Sequence, residues 1–145
     1  MGMIKKAFVA VVLFALVFVL SSCSILSDAA KLQSYDFDTD SVTSITSVVG
    51  ERTVTNVSTG SGTGGQYKEY TYNTDSAVAD IQAYINSLQN QGWVVTQNDG
   101  DANSGTVQLG IESADDGMII LVTITFTADS YTVNVNKSEG TLNRF

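Results

Sequence analysis

The sequence predicts an α+β fold: an antiparallel sheet of four to six strands with one long amphipathic helix, about 75–91, packed on one face. Three observations carry this reading. Apolar residues alternate with polar ones through "TVQLGIES", "MIILVTITFT" and "YTVNVNK", the period of a sheet with one buried face. Val78, Ile81, Ile85 and Leu88 recur at three and four residues, the period of a helix with one apolar stripe. Asp116-Gly117 and "ADS" separate the last strands by tight turns, so neighbouring strands run antiparallel.

Taken in order, "DSVTSITSVVG" is open to two readings. Val42, Ile45, Val48 and Val49 have helical spacing, with Asp40 as a cap and Gly50 as a stop; the β-branched content favours strand. The spacing tips the reading to a short helical turn. "ERTVTNVS" reads as a strand, Gly-rich 59–65 as a flexible loop, and "QYKEYTYN" as a strand with Tyr70 and Tyr72 on one face and Tyr67 on the other. In the helix, Thr74 or Asp75 can cap the first turn. Gly92 suits a left-handed C-terminal cap, with Trp93 folding back, and Asp80, Gln82, Asn86 and Gln89 form a solvated face. "WVVTQN" leaves the helix as a strand. In the strand from Met118, Ile119 and Leu121 point to the polar face, and segment 42–57 is expected to cover them, the alternative being a partner or a second copy of the domain.

The N-terminus has a different character. "MGMIKK" precedes a fourteen-residue apolar run, Ala7–Leu20. A membrane span needs about twenty residues, so the run suits an export signal. Leu20, Ser21, Ser22 and Cys23 follow it. They resemble the lipobox of bacterial lipoproteins: an aliphatic residue, two small residues, then the cysteine that becomes the new N-terminus. The resemblance implies a diacylglycerol on the Cys23 sulfur and cleavage before it. With the polar, acidic and aperiodic stretch that follows Cys23, the chain divides into a lipoprotein signal peptide, 1–22; an acidic flexible tether, 23–40; and a single small α+β domain, 41–145. Over Tyr67–Lys137 the body also resembles small lipoproteins of bacterial cell envelopes. An extracytoplasmic protein held to a bacterial membrane by lipid is implied.

Composition narrows the chemistry. The chain carries a net charge of −8. Without 1–22, five basic residues face fifteen acidic ones, and no basic stripe suits nucleic acid. Histidine is absent and Cys23 is the sole cysteine, which excludes His-based triads, ordinary zinc sites and an internal disulfide. No cofactor is expected.

The remaining candidates each have a plain structural reading. Asp99, Asp101 and Asn103 alternate like the first ligands of a calcium loop, but the glycine falls one place late and no glutamate closes the loop. They are a weak metal candidate, and an acidic turn is the expectation. Asp115 and Asp116 are a carboxylate pair of the kind hydrolysis uses, placed where turn formers sit. Ser-Lys chemistry through Lys68 or Lys137 has no supporting motif. Tyr67, Tyr70, Tyr72, Tyr84, Trp93 and Tyr131 read as core and rim. The polar sheet face, Gln108, Glu112, Thr123, Thr125, Thr132, Asn134 and Asn136, reads as solvated. The expected role is binding or interaction at the cell envelope, with a protein or glycan partner and no enzyme activity. A structural or stress-related envelope protein is the alternative, and a hydrolase a lesser one.

Overall fold

Alternation becomes sheet as expected, in a computed structural model that describes residues 26–62 and 64–142. Strands β1 (Ser34–Asp36) and β2 (Ser41–Thr43) form a small hairpin. Helix α1 (Ile45–Val49) follows. Then come β3 (Thr53–Gly62), β4 (Gly65–Asn73), α2 (Ala77–Asn90), β5 (Val94–Gly100), β6 (Gly105–Glu112), β7 (Met118–Phe126) and β8 (Ser130–Glu139). The large sheet is antiparallel throughout, in the order β3-β4-β8-β7-β6-β5. Strands β5 to β8 form a meander, and α2 carries the chain from β4 to the far edge.

Register sets the core. Val107, Ile124, Val133 and Tyr70 line up across four strands, as do Leu109, Val122 and Val135 one step along. All seven are buried, and Ala77, Ile81, Tyr84 and Leu88 of α2 join the same apolar cluster. At the end of α2, Gly92 takes φ 97° and the Trp93 N–H donates to the Leu88 carbonyl at 3.1 Å. That left-handed residue lets the chain fold back, and Trp93 is buried.

Several expectations need correction. The helix spans fourteen residues rather than the whole of 75–91, and the helical content is shared with α1 and a turn over 26–29. Its start is Ser76, where the Thr74 hydroxyl accepts from the Ser76 N–H. Val78 is exposed, while Asp80 is buried. The five residues of α1 are capped by Ser44, not Asp40, and end at Gly50 with φ 91°. Leu20–Cys23, the lipobox-like residues, lie outside the described residues. Of the stretch 23–40 read as a tether, residues 26–40 are folded: Ala29, Ala30, Tyr35 and Phe37 are core. Tyr35 and Phe37 alternate with Asp36 and Asp38, a strand pattern inside an acidic composition.

The glycine-rich 59–65 stretch is mostly ladder, with Thr59↔Lys68, Gly60↔Tyr67 and Gly62↔Gly65 paired. Gly60 serves close approach rather than flexibility, since a side chain there would meet the Tyr67 ring. Ile119 and Leu121 are indeed covered by the chain itself, but by its C-terminal residues. Leu142 packs over Gly110 beside Leu121, and Gly140 lies against Ile119. Val42, Ile45 and Val54 go to the opposite, helix-covered face.

Candidate functional site

Three arrangements place polar or concave chemistry on this frame. The first centres on Lys137. It continues the inward row of Val133 and Val135 on β8, and in register it neighbours Ile120. Its residue exposure is only 2 %, so its ammonium requires partners. Nζ lies 2.7 Å from Asp40 Oδ2 and 2.5 Å from Asp115 Oδ2, and donates to Thr39 Oγ1 at 2.8 Å. Asp40 in turn accepts from the Ser113 hydroxyl at 2.6 Å and the Ala114 N–H at 2.9 Å. The cluster fastens the β1–β2 turn to the β6–β7 hairpin. Asp116 is exposed and apart, so the two adjacent aspartates do not act as a carboxylate pair.

Electrostatics there favours the ion pair. Hydrogen bonds from Lys137 to Asp115 and Asp40 hold the ammonium pKa above its ordinary value. Burial pushes Asp40 upward, but the Ala114 N–H, Lys137 and the Ser113 hydroxyl outweigh it and bring it to about 2. Asp115 is likewise lowered, by Lys137 and then Thr39. A lysine held charged is no general base. Asp40 stabilises the fold fully above its unfolded value of about 3.9, and that contribution is lost as pH falls towards about 2. Melting temperature in wild type should drop steeply between about pH 4 and 2. Lys137→Met should show a shallower acid limb, because Asp40 is then less perturbed. Identical acid limbs in thermal melts would mean that the pair does not couple to folding.

The second arrangement is Asp80. Its carboxylate takes a two-pronged contact from Arg52, Nε at 2.7 Å and Nη2 at 2.9 Å, and accepts from the Tyr131 hydroxyl at 2.8 Å. This joins α2, the start of β3 and β8. Beside it runs a tyrosine stack. Tyr35 and Tyr70 have ring centroids 4.9 Å apart, Tyr72 and Tyr131 5.3 Å, and the hydroxyls of Tyr35 and Tyr72 share a hydrogen bond of 2.8 Å. Tyr84 donates to the Thr43 carbonyl at 2.7 Å. Tyr70, Tyr72, Tyr84, Trp93 and Tyr131 are core as expected, and Tyr67 is half-buried on the other face.

The third is concave. A groove of about 730 Å³ opens between residues 26–32 and the edge strand β3. Leu26, Ala29, Leu32, Val57 and Tyr70 supply its apolar lining, and Asp28, Thr55, Asn56, Ser58 and Thr59 its polar one. That volume is in the range of ligand sites, roughly 300–1,000 Å³. It was not foreseen, because it is built from a segment read as tether against a strand thirty residues away in sequence.

Asp99, Asp101 and Asn103 form a hairpin tip instead. Asp101 Oδ1 accepts from the Asn103 and Ser104 N–H groups at 2.7 and 3.0 Å, which lowers its pKa, and Asp99 is taken by Gln97. Among the described residues no three acidic, histidine or cysteine side chains converge as metal ligands. No family model, curated protein or solved structure matches this chain.

Proposed function

We propose that this chain is a lipid-anchored, extracytoplasmic lipoprotein whose small domain binds a partner at the surface of a bacterial membrane. The observation that carries the reading is the position of the groove. Leu26 lines it, and Leu26 lies three residues after Cys23. Three residues of chain reach at most about 10 Å, so a lipid on Cys23 would hold the groove at the membrane surface rather than on a long stalk. Two acyl chains on one cysteine give stable anchoring where a single chain gives marginal binding. Binding is favoured over catalysis because the Lys137 cluster holds its lysine charged and its aspartates ionised.

A ligand-free structural role draws support from the polar sheet face. There Asn134 donates to Glu69 at 2.9 Å, Thr71 meets Thr132 at 3.0 Å, and Gln108 donates to Thr123 at 3.0 Å. Side chains so paired with one another offer few free groups to a ligand. The anchor is tested by Cys23→Ser. Wild type should partition into the detergent phase on phase separation, and the variant into the aqueous phase. Equal partitioning of the two proteins would sink the lipid anchor.

A further inference from the structure

We propose that the groove beside β3 takes an extended cationic peptide segment, which adds a strand to the free edge of β3 and seats alternate apolar side chains against Leu26, Leu32, Val57 and Tyr70. This rests on the binding reading above and names the ligand class for the same site; it does not depend on the lipid.

The edge is available. β3 ends the strand order, so alternate residues along it turn their N–H and C=O groups away from β4. The wall of the groove does not use them. Among the described residues, the backbone hydrogen bond that ties the wall near β3 is Arg52 N–H to the Ala30 carbonyl at 3.3 Å, just before the strand begins. None joins residues 26–33 to Thr53–Gly62. The turn over 26–29 and the edge strand are therefore not joined by backbone hydrogen bonds, and the groove lies between them along Thr55–Thr59. Four steps of strand are about 14 Å, enough to pair several residues of an incoming chain.

The strand carries few of the usual guards. Exposed edges are normally blunted by lysine, proline or inward charge. Thr53–Gly62 contains none of these, only a register shift between Val54 and Asn56. The other edge, β5, contrasts with it. Gln97, Asn98 and Asp99 are exposed there. Strand addition draws affinity from the main chain and specificity from pockets for alternate side chains, and β3 with its groove offers both.

Charge selects the sign of the peptide. Asp28 is exposed and lines the groove, and the chain as a whole carries −8. A field of that sign draws cationic segments and repels acidic ones. The five polar lining residues also suit a peptide better than an acyl chain.

The test uses the full chain in neutral detergent micelles, with two capped hexapeptides as probes, one alternating Lys and Val and one alternating Glu and Val. Calorimetry should show the Lys-Val peptide binding at least tenfold tighter. Amide exchange at Thr55–Thr59 should slow in the complex. Asp28→Lys should cut the preference for Lys-Val at least threefold, and Val57→Lys should weaken its binding at least tenfold. Asp28 is exposed, so that variant decides the matter even where Val57→Lys melts lower. The proposal is overturned if neither peptide binds, if both bind equally, if Asp28→Lys leaves the preference intact, or if protection appears on Val94–Gly100 instead. It is also overturned if phosphatidylcholine vesicles occupy the groove of the Cys23→Ser chain and the Lys-Val peptide fails to displace them. The intact mass of the same sample reports Cys23 separately, so an unlipidated protein that binds the peptide fails only the anchor.

Discussion

Tyr72→Ala is expected to lower stability by about 3–5 kcal/mol, the usual cost of deleting a buried aromatic side chain. Tyr72 is fully buried between Tyr70 and Tyr131, with centroids at 6.4 and 5.3 Å. Its removal opens a cavity where β4, β8 and the β1–β2 hairpin meet. It also takes away the hydroxyl bonded to Tyr35, leaving Tyr35 the Ile45 N–H at 3.3 Å. A small domain has about 5–15 kcal/mol in total, so the variant should be near its unfolding threshold. Tyr72→Phe keeps the ring and loses one neutral hydrogen bond, about 1 kcal/mol. Urea titrations followed by far-UV circular dichroism separate the two. If alanine costs no more than phenylalanine, the tyrosine stack is not the packing centre of the domain.

Asp80→Ala should cost about 3 kcal/mol, for a different reason. The substitution leaves Arg52 without its two-pronged partner and strands the Tyr131 hydroxyl inside the core. Breaking a buried pair from one side costs roughly 3–5 kcal/mol. The lower end applies because the Arg52 side chain is 23 % exposed, and water can take over part of its solvation. Removing both charges tests the mechanism: Arg52→Met with Asp80→Leu should recover most of the loss in the same titration. A double variant as unstable as Asp80→Ala alone would assign the cost to packing around α2 instead of to the uncompensated charge.

The meander was legible because one-sided burial writes itself as strict alternation. Val107, Leu109, Val122, Ile124, Val133 and Val135 all face inward as their spacing requires. The helix was legible from its stripe, and Gln82, Asn86 and Gln89 are exposed as their face requires, but Asp80 was not legible. A lone aspartate among Gln and Asn reads as solvated, and the partner that buries Asp80 is Arg52, on a segment with no local signal. Lys137 did carry a signal, since it continues the inward parity of Val135, yet its type argued for solvent. Its partners, Asp40 and Asp115, come from two turns that only the folded sheet brings together. The segment 26–40 was misjudged for a related reason. Averaged composition called it polar, while Tyr35 and Phe37 alternate with acids and pack inward. The groove inherits that misjudgment, because four of its ten lining residues come from the same segment.

The proposed lipid anchor is tested most directly by the intact mass and N-terminal sequence of the protein recovered from membranes. The expected product begins at Cys23, lacks residues 1–22, and carries the added mass of a diacylglycerol with or without a third acyl chain. A product that retains the leader, begins elsewhere, or has an unmodified Cys23 would contradict it.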